Sequence, residues 1–219
     1  MPEPTLHARL RAAILSLDLA PGRPLSERGL EPEFGASRTP IRAALMRLES
    51  EGLVRRDGKG WIVAPIDLDE IRSLYEYREI LESASARLAV ERASREDLEA
   101  LADLARLADA DETPEHSIDA GTGFHLELAR LSNNDFLIDA MAGVLTRLYR
   151  TRWLEVQSAE SRERAHREHR AVTAALLARD GASAELATIA HLRGTGERLV
   201  ASLGESSQRL RATGINLGN

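Results

Sequence analysis

The chain has 219 residues, 43% of them hydrophobic, a formal net charge of −6 and no cysteine. That length can bury one large core or two ordinary ones, and the missing thiols exclude disulfides, cysteine nucleophiles and cysteine-ligated zinc, so any metal must take nitrogen or oxygen ligands. No apolar run approaches the roughly 20 residues a membrane helix needs, and the opening MPEPTLHARLRAA carries Arg9 and Arg11 where a signal segment would be apolar, so the expectation is a cytoplasmic protein with no membrane partner.

Leu6, Leu10, Ala13, Ile14 and Leu17 recur at spacings of three and four, which predicts a first helix over 5–17, stopped by Pro21-Gly22. A second short helix starts after Leu25 with Ser26 as N-cap and reaches about Phe34, shortened or kinked by Pro32. Gly35 makes a turn, and a third helix begins near Ser37 to Thr39, tolerates Pro40 in its first turn, packs Ile41, Leu45 and Leu48 inward and stops at Gly52. Leu53 to Arg56 and Trp61 to Ala64 read as two short strands around the turn DGKG. Three helices and a hairpin in this order make a winged helix-turn-helix.

The acidic net charge is unevenly placed. Residues 1–65 carry ten basic and eight acidic side chains, +2, leaving 19 against 27, −8, for residues 66–219. Between Arg38 and Gly60 six basic side chains face three acidic ones, a local balance that attracts phosphates.

PGRPLSE followed by ASRTPIRAAL, RLESEGLV and GKGWIV resembles, over some forty residues, the DNA-binding domain of the GntR family of bacterial transcription regulators. A recognition helix turns its N-terminal residues toward base edges in the major groove. Arg38 and Arg42 stand one turn apart at that end, and arginine suits bidentate contact with guanine while Thr39 suits phosphate. The resemblance implies DNA-contacting roles for Arg28, Arg38, Thr39, Arg42 and a wing glycine, Gly60 or Gly58.

Beyond Ala64-Pro65 everything reads as helix, with candidates at about 67–92, 95–110, 115–132, 134–157, 160–179 and 182–204. The tail from Gly204, rich in Ser, Gly, Thr and Asn, reads as flexible. The fold expected is mainly α: a winged helix-turn-helix over 1–65, an all-helical six-helix antiparallel bundle over 66–204 for effector binding and dimerisation, and a mobile 205–219.

His125 lies in line with Leu128 and Ala129, His169 with Ala165, Val172 and Leu176, and His191 with Ala184 and Ala187, so each ring joins the inward stripe of its helix. From periodicity alone they are either three hydrogen-bonded core histidines or one set of nitrogen ligands. His166 reads as solvated or capping, and His7 and His116 as peripheral. LYEYREILESASARLA, FHLELARLSNNDFL and EHRAVTAALLARDGASAELATIAHL, in this order, resemble the FCD subclass of GntR regulators across the bundle. That resemblance implies a divalent metal, zinc or nickel, held by His125, His169 and His191, with a small organic acid beside it gripped by Arg78 and reached by Asn134. Arg78 also stands one turn from Glu82, a spacing that favours a surface ion pair, and Asn134 sits where it would cap the next helix.

One position departs from the subclass, whose acidic ligand stands one turn before the first histidine, where this chain has Gly121. The expectation is a three-histidine site completed by water or effector. The alternatives are recruitment of Asp119 through a helix unwound at Gly121 and Gly123, and no metal at all. Arg150, Arg152 and Trp153 line either the pocket or a dimer seam. The function expected is a homodimeric, non-enzymatic regulator that reads an inverted-repeat operator in double-stranded DNA under control of a small organic acid. One rival is a metal-dependent hydrolase or lyase using the histidines, although HExxH, GxSxG and P-loop motifs are absent and Glu168 and His169 point about 100° apart on an ideal helix. The other rival is a DNA-binding protein without an effector.

Overall fold

The computed structural model describes residues 4–107, 114–152, 156 and 158–212, in two compact units, Met1–Leu68 with Glu205–Asn219, and Asp69–Gly204. The first contains α1 (Leu6–Leu15), β1 (Pro24–Leu25), α2 (Glu27–Phe34), α3 (Arg38–Ser50), β2 (Val54–Asp57) and β3 (Gly60–Val63). Short polar side chains start two of the helices: Thr5 accepts a hydrogen bond from the Ala8 N–H at 3.2 Å, and Ser26 from the Gly29 N–H at 3.0 Å. Pro32 does not end α2, which runs two residues further, to Phe34, before Gly35 closes it in the left-handed conformation at φ +63°. Leu10 and Ile14 of α1, Leu30 of α2, Ile41, Leu45 and Leu48 of α3, and Trp61 and Val63 of β3 make one core.

The two predicted strands appear one residue out of place, and a third was not foreseen. Leu25 pairs with Trp61 and Pro24 with Ile62, so the antiparallel sheet runs β1-β3-β2. Two residues are too few to show an alternation. The hairpin closes through Gly58 and Lys59, and Gly58 at φ +55° supplies the positive φ that a loop with the twist of its strands needs at its first position.

The second unit is built from α4 (Leu68–Arg92), α5 (Arg95–Leu107), α6 (Pro114–Leu131), α7 (Asp135–Arg152), α8 (Ala159–Leu177) and the first part of α9 (Gly181–Ala212), with no strand among its described residues. α5 packs on α6 and α8, and α6 on α7. Ala86 and Ala89 of α4, Leu98 and Leu101 of α5, Phe124 and Leu128 of α6, and Val172 and Leu176 of α8 share a core. The expected helix starts of this unit are met within one residue; the expected ends at 108–110 and most of 153–157 lie outside the described residues, and the last helix departs from expectation. α9 continues through 205–212, where the sequence suggests a flexible tail, because Gly204 does not adopt the left-handed backbone that stops a helix and Gln208 to Ala212 are good helix formers. Residues 213–219 of that expected tail, and Trp153, lie outside the described residues.

Leu45 is fully buried in the first core, whereas Met46 beside it is 54% exposed. Leu45→Ala is therefore expected to destabilise this unit by about 2–5 kcal/mol, and Met46→Ala to stay within about 0.5 kcal/mol of the parent, as read by urea denaturation.

Candidate functional site

On the first unit, Arg38, Thr39 and Arg42 are exposed along α3, opposite the buried Ile41, Leu45 and Leu48, and Arg28 is exposed on α2. Glu27 of α2 organises the two arginines. Its Oε1 accepts from Arg42 Nε at 2.6 Å and its Oε2 from Arg42 Nη2 at 3.2 Å, and Arg38 Nε lies 3.7 Å from Oε2. The paired hydrogen bonds to Arg42 hold the Glu27 carboxyl below its usual range and raise the guanidinium above its own. Sequence reading missed Glu27, because a partner 15 residues away leaves no periodic signal. In the wing, Gly60 opens β3 with an ordinary strand backbone, and Gly58 is the residue whose conformation favours glycine. Arg56 lies 3.6 Å above the Trp61 ring.

The second unit brings His125 of α6, His169 of α8 and His191 of α9 together in its buried interior. His191 Nε2 is 3.3 Å from His169 Nε2 and 3.4 Å from His125 Nε2. Two of the rings are anchored from behind, His125 Nδ1 to Glu82 at 2.7 Å and His191 Nδ1 to Glu168 at 2.7 Å. A carboxylate only accepts, so both Nδ1 atoms carry a proton, which leaves the Nε2 atoms as the ones that can face a metal. Phe124 stacks on His169 with centroids 4.1 Å apart. Burial first, with Arg78 and the other histidines adding to it, pushes His125 well below its usual range. Burial, then His191 and Arg152, does the same to His169. Those two rings are therefore neutral.

Nε2 atoms that face one another as acceptors cannot bond to each other, and a cation between them satisfies both. Nitrogens about 2.0–2.1 Å from a tetrahedral ion stand roughly 3.3–3.4 Å apart. The observed separations of 3.3 and 3.4 Å match that spacing, so the donor set fits a divalent metal.

Arg78 both pairs with Glu82, at 2.6 Å, and lines the histidine cavity, so the ion pair anticipated on the surface is instead buried, each partner 1% exposed. Glu82 thus carries Arg78 on one oxygen and His125 on the other. His166 is buried and lines the same cavity, against the expectation of a solvated ring. Asn134 is placed elsewhere: its side chain accepts from the Phe136 N–H at 3.1 Å and caps α7, so it does not reach the cavity, because the turn before a helix offers its oxygen an unsatisfied backbone donor. Asp119 is exposed on an unbroken α6 and accepts from the Tyr149 hydroxyl at 3.2 Å, so no unwinding at Gly121 brings it to the histidines. Of the unassigned arginines, Arg152 lines the cavity, and burial lowers Arg150 to about 10.

Residues 4–63 match the family model of the bacterial regulatory proteins of the gntR family, and residues 73–194 match that of the FCD domain. The chain belongs to the GntR family. Similar relatives include the Nta operon transcriptional regulator of Aminobacter aminovorans, 31% identical over 82% of this chain and 85% of that protein. The HTH-type transcriptional regulator LutR of Bacillus subtilis is 32% identical over 80% and 90%. The solved structure of E. coli McbR/YncC, 23% identical, superposes with a TM-score of 0.73 over 89% of this chain and 95% of that one, which shows the shared fold. As a GntR regulator with an FCD domain, the chain is a DNA-binding transcriptional regulator with a C-terminal effector-binding domain, and no described helix is long and apolar enough to cross a membrane.

The depressed histidines give this GntR regulator a pH signature. In the unfolded chain these rings take protons below about pH 6.5, whereas the folded pair resists protonation, so lowering the pH favours unfolding and stability falls through that range. Chelator-treated protein should lose urea resistance between about pH 7.5 and 5.5, and His169→Phe should flatten that slope. Equal slopes in both proteins would contradict the neutral, buried assignment.

Proposed function

We propose that this regulator binds, as a cytoplasmic homodimer, an inverted-repeat operator in double-stranded DNA, and that a divalent metal and a small organic acid in the histidine cavity control its affinity. His125, His169 and His191 hold the metal, with zinc or nickel the ions such nitrogens suit. The observation that carries this reading is the convergence of three buried histidines, with two Nε2 separations of 3.3 and 3.4 Å, beside the guanidinium of Arg78. Once bound, the metal supplies a concentrated positive charge for a carboxylate oxygen. The protein's own groups do the rest: Glu82 and Glu168 orient the rings, and Arg78, fixed by Glu82, meets the acid through its guanidinium.

On the DNA side, Arg38 and Arg42 enter the major groove, ordered in advance by Glu27, with Thr39 and Arg28 at the phosphates and the Gly58–Gly60 wing alongside. Two copies read the two halves of the repeat. The acid acts by favouring one arrangement of the paired reading heads over another, which requires that it bind the two arrangements with different affinity. A regulatory rather than hydrolytic cavity is supported by Glu168: its carboxylate is shared between His191 and Arg198 and is not placed to act as a base on a bound water.

Arg38→Ala and Arg42→Ala should each weaken specific operator binding by about 1–3 kcal/mol and relax base preference, as read by fluorescence anisotropy against operator and scrambled duplex. Unchanged operator affinity in both variants would refute the assignment. Protein purified without chelator should carry roughly one divalent ion per chain by elemental analysis, the number three convergent imidazoles imply, and His169→Ala should lose it. Equal metal content in the two proteins would refute the ligand set.

A further inference from the structure

Gly121 lies one helical turn before His125, on the same face of α6, so a side chain there would project toward the histidines. Arg152 of α7 takes that space instead. Its Nη2 stands 2.8 Å from where a Cβ on residue 121 would be, and His169 Cε1 is 3.9 Å from the same point. Arg152 is 5% exposed, and its Nη1 donates to Thr122 Oγ1 at 2.7 Å. A cation thus occupies the approach from which an acidic side chain would otherwise reach a metal on the three rings.

The surrounding wall strengthens the bias. Among the described residues lining the cavity, Arg78, Arg152 and Arg198 are cationic and none is acidic. Glu82 and Glu168 stand behind the histidines, each already shared with an arginine. Imidazole ligands bring no negative charge, so they leave the full charge of a divalent ion uncancelled in a buried space where like charges repel strongly. An anion brought in from solution removes that conflict, and the cavity, about 60 Å³, has room for roughly four or five water-sized groups.

We propose that Arg152, standing in the space that Gly121 leaves, makes metal and effector interdependent ligands: a compact acid with two carboxylates supplies the anionic oxygen the protein lacks, held by Arg152, while its second carboxylate meets Arg78. The proposal rests on the reading of His125, His169 and His191 as metal ligands. Coupling is reciprocal, so each partner raises the other's affinity by the same factor. The device makes the metal site respond to the metabolite, whereas a chain with its own acidic ligand would hold metal constitutively.

The test is nickel affinity of chelator-stripped full-length protein, measured by calorimetry with no acid, with acetate and with malonate, the solution complexation of malonate being subtracted. In the parent, malonate should tighten nickel binding by about tenfold or more and acetate by much less, a coupling within the usual range for linked sites. Arg152→Gln should abolish the difference between the acids. Gly121→Asp, whose Cβ is crowded only by the movable end of Arg152, should tighten nickel binding without acid and remove the dependence on malonate. Circular dichroism melts of each variant confirm that it is folded. Nickel binding that is present but indifferent to malonate in the parent overturns this proposal and leaves the metal reading intact. No nickel binding under any condition overturns both.

Discussion

Three buried histidines held with their Nε2 atoms facing one another need a shared partner, and the C-terminal unit is organised around maintaining that arrangement. His191 Nε2 stands 3.3 Å from His169 Nε2 and 3.4 Å from His125 Nε2, in a core where the rings could otherwise rotate apart. Glu82 and Glu168 prevent that rotation by taking the opposite N–H of His125 and His191, and Phe124 stacks behind His169. Burying Glu82 carries a desolvation penalty that only charged partners offset, which is why Arg78 shares its carboxylate. Arg78, Glu82, His125 and the cavity thus form one hydrogen-bonded chain, and removing any member leaves the next one buried without its counterpart.

The N-terminal unit solves a different problem with similar means. Arginines on a recognition helix are long and lose rotamer freedom when they order on DNA. Glu27 orders Arg42 beforehand through two hydrogen bonds and draws Arg38 toward the same carboxylate, while both side chains stay more than half exposed. The hydrophobic stripe of α3 turns this face outward. In the proposed role this surface is preassembled, and a duplex would meet ordered side chains.

Much of this was legible in the residues alone, for identifiable reasons. Helices of a dozen residues or more repeat their apolar spacing often enough to be read, and the inward phase of His125, His169 and His191 followed from the same repeat. The pairing of β1 did not, since two residues carry no period. Nor did Glu82 and Glu168, because a carboxylate that anchors a ring across 43 or 23 residues is set by tertiary packing. Asn134 illustrates a competition between two uses of one side chain: the unsatisfied amides opening α7 were the nearer partners and took its oxygen. Gly121 was visible as an anomaly, but its meaning depended on Arg152, which arrives from another helix.

The central claim is that a cation belongs among the three Nε2 atoms. Anomalous diffraction at the absorption edge of the bound metal, from crystals of protein never exposed to chelator, tests it most directly. The account predicts one strong peak in each cavity, about 2.0–2.1 Å from the Nε2 atoms of all three histidines. A cavity without anomalous signal, with the three rings turned to hydrogen-bond water or one another, would contradict it.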